Sequence, residues 1–296
     1  MNRRIFLKNT STSLAGLGAG ASAGSNSWGA AGTGGSSTEQ PQTATWVRPK
    51  DYRKDPFQRL VILGESTVEG GPWLHAKEER YADVLVRLIN AVQEKPIEYI
   101  NKGIGNNSIS PRSPAYAQSA KPSALERYHT DVIEHRPDLF ILAYGLNDMR
   151  AAMPLDQFRE DMGTIIRDVK KACDPVTVLT TVYYMTGYRS FPPINKGSIE
   201  LTLKYNECIR SLAAEFDCIV ADVWSAEGGA DWMIDYDGVH ANKAGNLVLG
   251  NKVFEALVQH CSGLTNYVFE QEKDSNWTQY TTKKRAEAGD PFKKTW

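Results

Sequence analysis

Three polar side chains in this sequence have the chemistry needed for nucleophilic acyl transfer. Ser66 carries a hydroxyl that becomes a good nucleophile only when a base removes its proton, and His240 can serve as that base. Asp237, three residues before His240, can hold the second ring nitrogen and stabilise the positive charge that forms on the imidazole. These residues predict a catalytic triad of Ser66, Asp237 and His240, with Asp235 as the rival acid.

Acyl transfer also requires hydrogen-bond donors for the oxyanion of the tetrahedral intermediate. Asn147 can offer its side-chain amide, while the backbone N–H of Ser66 and an N–H of the turn at Gly105 and Asn106 can supply the others. Losing one such donor typically costs about 3–4 kcal/mol of transition-state stabilisation. We therefore predict an oxyanion hole formed by Ser66, Asn147 and either Gly105 or Asn106.

Short apolar runs alternate with segments of helical spacing along the chain. The predicted strands are 60–63, 97–100, 139–143, 176–183 and 219–223. The predicted helices are 81–92, 124–134, 155–172, 201–216 and 242–260. Buried strands separated by long helices predict an α/β fold whose parallel sheet is covered on both faces. Such sheets place their sites beyond the carboxyl ends of the strands, where all the candidate residues fall.

The candidate residues also follow a known family pattern. Ser66, the glycine-rich turn near Gly105, Asn147 and His240 occur in the order and loop positions of the SGNH (GDSL-like) hydrolase family, which the chain resembles over residues 58–262. This resemblance implies a three-layer α/β/α, flavodoxin-like sandwich with a five-stranded parallel sheet. It also implies a serine esterase that needs no metal ion or organic cofactor, and it selects Asp237 over Asp235 as the acid.

Two positions depart from the family pattern. The family usually has Gly-Asp-Ser where this chain has Gly64-Glu65-Ser66. The oxyanion glycine of the family commonly lies five residues after the Asn of the second block, and Asn106 occupies that position here, directly after Gly105. Because Asn tolerates a positive φ better than most residues, the second backbone donor stays open between residues 105 and 106.

Composition narrows the range of partners. The 34 basic and 35 acidic residues nearly balance, and without a basic stripe we expect no binding to nucleic acid. The four cysteines include no Cys-x-x-Cys pair, which argues against a zinc or thioredoxin-type site and leaves disulfide pairing undetermined. A group of aromatic residues near the same edge predicts either loop packing or a surface for sugar rings or acyl groups: Trp73, Tyr183, Tyr184, Tyr188, Phe191, Trp224 and Trp232.

The expected substrate is a small acyl ester, and an O-acetyl group on carbohydrate is the first expectation, since the chain shows export signals, aromatic loops and no long apolar lid. The alternatives are a broad short-chain carboxylesterase or lipase-like enzyme, a transferase that passes the acyl group to another sugar, and a non-catalytic carbohydrate-binding protein on a hydrolase fold. The segment 185–198, which contains Pro192 and Pro193, is long enough to shape access to the site.

The N-terminus predicts export. Arg3 and Arg4 form a twin-arginine motif, and the Gly/Ala-rich stretch that follows is too weakly apolar for stable membrane insertion. We predict a signal peptide at 1–23, a linker and N-terminal extension at 24–57, a hydrolase domain at 58–262 and a C-terminal extension at 263–296. The C-terminal extension is expected to wrap the domain or to be partly disordered, and the mature protein is expected to be periplasmic or secreted.

Overall fold

The five apolar segments form the strands of one parallel sheet. The computed structural model describes residues 48–273 and 275–289. The strands are β1 Arg59–Gly64, β2 Glu98–Gly103, β3 Leu139–Ala143, β4 Val176–Thr180 and β5 Ile219–Ala221. Their order across the sheet is β2-β1-β3-β4-β5, and all four neighbouring pairs are parallel. The predicted α/β fold with a five-stranded parallel sheet is therefore confirmed.

Helices connect and flank the strands. They are α1 Ser66–Glu69, α2 Tyr81–Val92, α3 Ala124–Asp131, α4 Leu146–Arg150, α5 Leu155–Cys173, α6 Ile199–Glu215, α7 Val223–Glu227, α8 Lys243–His260, α9 Asn266–Lys273 and α10 Asn276–Glu287. Helix α2 packs against α8, while α3, α5 and α6 pack in series. Every residue of β3 is buried, as expected for a central strand that helices cover on both faces.

The order of the strands determines where a crevice opens at the edge of the sheet. After β1 the chain crosses to β2 on one side of the sheet, and after β2 it crosses to β3 on the other side of β1. The loops that leave β1 and β3 therefore diverge at their carboxyl ends and open a crevice between them. Ser66 begins α1 directly after β1, and Asn147 lies in α4 directly after β3.

Several element boundaries differ from the predicted ones. Strand β2 continues through Asn101, Lys102 and Gly103, which the sequence predicted as a stop, because these residues pair with Ile62–Gly64 of β1 in the register of an edge strand. Strand β4 ends at Thr180 rather than residue 183, and β5 ends at Ala221 rather than residue 223. Helix α3 ends at Asp131, and a 3₁₀ turn at Ile133–His135 covers the rest of the predicted helix.

The segments that flank the predicted domain are partly described. Residues 48–57, within the predicted N-terminal extension, contact the domain: Phe57 is buried, and the backbone N–H of Tyr52 donates to the carbonyl of His260 at 2.7 Å. The C-terminal extension, for which we expected wrapping or partial disorder, forms α9 and α10. The predicted signal peptide and residues 24–47 of the linker lie outside the described residues.

All four cysteines are free thiols, two buried and two half-buried. No helix in the described part of the chain is both long enough and apolar enough to cross a bilayer.

Candidate active site

A tight turn presents Ser66 at the carboxyl end of β1. A Cβ atom on Gly64 would lie only 2.2 Å from the Val68 side chain and 3.0 Å from the Ala143 carbonyl, so only glycine fits between β1, β3 and α1. The chain turns at Glu65 and enters α1 with Ser66 as its first residue. The backbone N–H of Ser66 therefore has no helical acceptor, and it makes no hydrogen bond within the described residues.

The structure brings the three predicted triad residues into one hydrogen-bonded chain. The Nε2 atom of His240 lies 2.8 Å from the Oγ atom of Ser66, and its Nδ1 atom lies 2.5 Å from Oδ2 of Asp237. The other carboxylate oxygen of Asp237 accepts the backbone N–H groups of Val239 and His240 at 2.8 and 2.9 Å. This arrangement leaves Nδ1 of His240 as a donor to Asp237 and Nε2 as the acceptor for the Ser66 hydroxyl.

A short hairpin carries both the acid and the base. Ile234 and Ala241 form an antiparallel bridge, and the backbone N–H of Asp235 donates to the carbonyl of His240 at 2.7 Å. Gly238 at the tip has φ 73°, a left-handed conformation that favours glycine between the acid and the base. Asp235, the rival acid, is used in closing the hairpin, whereas Asp237 contacts the imidazole.

The protonation states of the acid and the base suit acyl transfer. Partial burial would raise the pKa of the Asp237 carboxyl, but the hydrogen bonds from His240 and Val239 lower that pKa below its usual value. Burial lowers the pKa of His240, and it outweighs the opposite effect of Asp237. At neutral pH Asp237 is therefore ionised and His240 is a neutral base.

The predicted oxyanion donors differ in whether another group already accepts their hydrogens. The Asn147 side chain is buried, and its Nδ2 atom donates one hydrogen to the carbonyl of Asn107 at 3.0 Å, which leaves its second hydrogen. The backbone N–H of Gly105 donates to Oε2 of Glu69 at 2.7 Å. Asn106 has φ 51°, and its backbone N–H makes no hydrogen bond within the described residues. The geometry thus separates the two backbone candidates: Gly105 is engaged by Glu69, and Asn106 is not engaged.

The sequence reasoning missed the role of Glu65. This side chain is 1% exposed and accepts three backbone N–H groups at the start of α4. Oε1 accepts from the cap residue Gly145 at 2.8 Å and from Leu146 at 3.0 Å, and Oε2 accepts from Asn147 at 3.0 Å. Helix starts leave such N–H groups without intrahelical partners. Glu65 therefore fixes the segment that carries Asn147. The available signal was an acid directly before the candidate nucleophile at a strand end.

A second buried acid lies close to Glu65. Asp148 is fully buried and accepts the backbone N–H of Ile109 at 3.1 Å. Burial raises the pKa of both carboxyl groups, and the charge of Asp148 adds to the effect on Glu65. Asp148 thus links the β2 side of the site to α4.

Trp73 stacks on His240. The two ring centroids are 3.5 Å apart, and the ring planes differ by 4°. Trp73 is half-buried in the loop between α1 and α2. We predicted that this aromatic group serves either loop packing or substrate stacking. Trp73 does neither of these alone, because its ring contacts the proposed base His240.

Other aromatic residues near this edge of the sheet differ in their exposure to solvent. Tyr183 is buried, and its hydroxyl donates to the carbonyl of Val239 at 2.9 Å, so it supports the hairpin. Trp232 and Phe191 are 79% and 60% exposed, and Tyr236, next to Asp237, is fully exposed. The hairpin with the acid and the base therefore displays Tyr236 to solvent, and Trp232 is exposed in the turn just before the hairpin.

The long segment after β4 contacts the hairpin. The backbone N–H groups of Thr186 and Gly187 donate to the carbonyl of Gly238 at 2.9 and 2.5 Å. Arg150, at the end of α4, donates to the Ser190 hydroxyl of the same segment. Within the described residues, no group of three or more His, Cys, Asp or Glu side chains is arranged to hold a metal ion.

Comparisons with known proteins agree with this architecture. The sequence model of the GDSL-like Lipase/Acylhydrolase family matches residues 62–248, well over half of the chain. The chain therefore belongs to the GDSL-like lipase/acylhydrolase family, a family of hydrolases, and the predicted SGNH resemblance is confirmed. An acetylxylan esterase of Geobacillus stearothermophilus is 22% identical over 216 residues, which cover 65% of this chain and 90% of that protein.

Solved structures are similar at the level of the fold. The lipase/acylhydrolase from Enterococcus faecalis matches with a TM-score of 0.55 at 21% identity, over 68% of this chain and 95% of that chain. Axe2, an acetylxylan esterase from Geobacillus stearothermophilus, matches with a TM-score of 0.53 at 19% identity, over 69% of this chain and 96% of that chain.

Proposed function

We propose that this protein is an exported serine esterase that forms an acyl-enzyme on Ser66, with O-acetylated carbohydrate as its substrate. The observation that carries the catalytic part is the unbroken hydrogen-bond chain from the Ser66 hydroxyl through His240 to Asp237. Such a chain serves one chemical purpose well, the transfer of the serine proton to the imidazole as the hydroxyl oxygen attacks an acyl carbon.

The reaction has two halves. Oγ of Ser66 attacks the ester carbonyl carbon while its proton passes to Nε2 of His240, and the tetrahedral intermediate forms. The intermediate collapses as His240 gives that proton to the leaving alkoxide, which departs as an alcohol and leaves the acyl group on Ser66. A water molecule, deprotonated by His240, then attacks the acyl carbon, and the acid is released with Ser66 restored.

Three donors are suited to the oxyanion. The free backbone N–H groups of Ser66 and Asn106 and the second hydrogen of Asn147 Nδ2 have no other acceptor among the described residues. We assign the second backbone donor to Asn106 rather than Gly105 because the N–H of Gly105 is engaged by Glu69. Its positive φ also suits the position that glycine commonly fills in the family.

The substrate class is supported by the surface around the site. Two exposed aromatic side chains, Tyr236 on the catalytic hairpin and Trp232 in the turn just before it, offer flat apolar faces for sugar rings. A relative over most of the domain is named an acetylxylan esterase. A broad short-chain carboxylesterase or lipase-like enzyme shares the same chemistry, and an acyltransferase would use the same acyl-enzyme.

A substrate panel tests this proposal. The measurement is kcat/KM for acetylated xylo-oligosaccharides and for p-nitrophenyl esters of increasing acyl length, with Ser66→Ala protein as the blank. We expect the acetyl group to be the preferred acyl group and the acetylated oligosaccharide to exceed p-nitrophenyl acetate. A maximum at long acyl chains would favour a lipase-like enzyme, and loss of activity in EDTA that added metal restores would contradict the proposed mechanism.

Export is the second part of the proposal, and it rests on the twin arginines near the N-terminus. Replacing both Arg3 and Arg4 by lysine should leave the precursor in the cytoplasm of a host with a twin-arginine pathway. Fractionation followed by an esterase assay measures the outcome. Undiminished export of the doubly substituted chain would contradict this route.

A further inference from the structure

The indole of Trp73 is held against the imidazole of the proposed base. The backbone of Gly71 leaves no room for a side chain, because a Cβ atom there would lie 2.2 Å from the indole ring. The backbone N–H of Leu74 donates to the carbonyl of Gly71 at 3.0 Å and closes the turn that carries Trp73. The close approach of Gly71 and this turn set the indole nearly parallel to the His240 ring, at 3.5 Å.

This stack restricts rotation of the His240 imidazole, on which proton transfer depends. Nδ1 and Nε2 of His240 must point at Asp237 and Ser66 at the same time, which fixes the imidazole plane. A parallel aromatic ring at 3.5 Å resists rotation of the imidazole about χ2, the broad torsion that would break both hydrogen bonds. The contact therefore acts on the orientation of the His240 ring.

The stack also responds to charge. When His240 accepts the Ser66 proton, the ring becomes an imidazolium that faces the electron-rich face of an indole, the best of the aromatic rings for a cation. The charged groups that act on His240 are Asp237 and Asp235 on its own hairpin and Arg150 at the end of α4. Arg150 destabilises the imidazolium form of His240, and the two aspartates stabilise it. Trp73 also stabilises the imidazolium, through the face of an uncharged ring.

We propose that Trp73 is a positioning residue that holds the His240 imidazole in line between Ser66 and Asp237 and stabilises its protonated form. The inference rests on the proposed acyl-enzyme mechanism. Stabilisation that appears only as the proton arrives lowers the barrier to acylation, since interactions stronger in the transition state than in the ground state accelerate the reaction. A residue that merely shaped the substrate pocket would act on KM, differently for each substrate, and would leave the protonation of His240 unchanged.

The test compares Trp73→Leu and Trp73→Phe with Trp277→Leu, in which an exposed tryptophan of α10 is replaced in the same way. The readout is the pH dependence of kcat/KM on p-nitrophenyl acetate. Removing the aromatic face should move the acid limb to lower pH by about half a unit and reduce kcat several-fold, with a smaller shift for Trp73→Phe. Trp277→Leu should match the parent.

A second measurement is independent of turnover. In the inactive Ser66→Ala background, NMR titration of the His240 ring reports its pKa directly with and without Trp73→Phe. A lower pKa in the Phe variant supports the proposal. An unchanged or raised pKa overturns it, since a raised pKa would mean that Trp73 acts only by excluding water. Failure of the proposed function would appear separately, as hydrolysis that persists in the Ser66→Ala protein.

Discussion

The Glu65 carboxyl group accepts the backbone N–H of Asn147 through Oε2 at 3.0 Å, although the two residues lie on loops that leave different strands. The same carboxyl group accepts the N–H groups of Gly145 and Leu146 through Oε1. The residue before the proposed nucleophile thus ties the end of β1 to the start of α4, and with it fixes the proposed oxyanion amide relative to Ser66.

Glu65→Gln should damage both stability and turnover. The amide NH₂ of Gln would face one of the three backbone N–H groups, and a buried donor without an acceptor costs about 1–3 kcal/mol. We expect the free energy of unfolding to fall by about that amount and kcat to fall about tenfold, with little change in KM, because the oxyanion contact forms fully only in the transition state. Urea unfolding and steady-state kinetics measure both.

The matched control is Glu207→Gln, which changes a glutamate that is 78% exposed. It should leave both quantities close to the parent values. Wild-type kcat in the Glu65→Gln protein would show that the Glu65 carboxyl group does not position Asn147.

The pH profile of hydrolysis should carry the signature of a buried histidine. Activity requires neutral His240, and burial lowers the pKa of His240 below its ordinary value of 6.5. The acid limb of kcat/KM should therefore have its midpoint below pH 6.5, and activity should persist into mildly acidic buffer. Initial rates between pH 4 and 8 in buffers of constant ionic strength test this, and a midpoint above 6.5 would contradict the assignment.

Asn106 offers a test of the second oxyanion donor. Its φ of 51° suits glycine and is tolerated by Asn, but a β-branched residue there is strained and would displace the turn. Asn106→Gly should keep kcat close to the parent, whereas Asn106→Val should lower kcat by roughly 10- to 100-fold with KM little changed. Both variants lose the hydrogen bond from Nδ2 to Gln118, so the pair isolates the backbone effect. Equal kcat values in the two variants would remove Asn106 from the oxyanion hole.

Glu227 should make stability depend on pH. Its side chain is 2% exposed, Oε2 accepts the backbone N–H of Tyr184 at 3.0 Å, and Oε1 has no partner among the described residues. Burial raises the pKa of Glu227 from 4.5 to about 8. Above pH 4.5 the folded protein therefore keeps a proton on Glu227 that the unfolded chain loses. The contribution of Glu227 to the free energy of unfolding is complete below pH 4.5 and declines as pH rises toward 8, by up to about 1.4 kcal/mol per pH unit.

Glu227→Gln cannot ionise and should remove this part of the slope. Urea unfolding of the parent and the variant at pH 5, 6.5 and 8 gives the comparison, with Glu207→Gln as the exposed control. Equal slopes for parent and Glu227→Gln would show that the Glu227 carboxyl is already ionised in the folded protein.

The fold and the meeting of Ser66, Asp237 and His240 could be predicted because both depend on simple patterns. Apolar runs predicted the strands, and parallel strands bring their carboxyl ends to one edge. The end of β2 could not be predicted in this way. Asn101-Lys102-Gly103 has the composition of a turn, yet pairing with the central strand β1 keeps it extended.

Contacts between loops could not be predicted from the sequence, for a different reason. The cap that Glu65 places on α4 depends on the distance between the ends of β1 and β3, and the Trp73–His240 stack depends on a turn at Gly71. Neither contact produces a repeating pattern of residue types that could be recognised in the sequence. The choice between Gly105 and Asn106 likewise required knowing that Glu69 reaches one N–H and leaves the other.

The central claim is a covalent acyl-enzyme on Ser66, and intact-protein mass spectrometry of a rapidly quenched reaction with p-nitrophenyl acetate tests it most directly. The parent protein should gain the mass of one acetyl group, peptide mapping should place that group on Ser66, and Ser66→Ala protein should gain none while retaining its fold by circular dichroism. An acetyl group on another residue, or Ser66→Ala protein that hydrolyses the ester at the parent rate, would contradict the account.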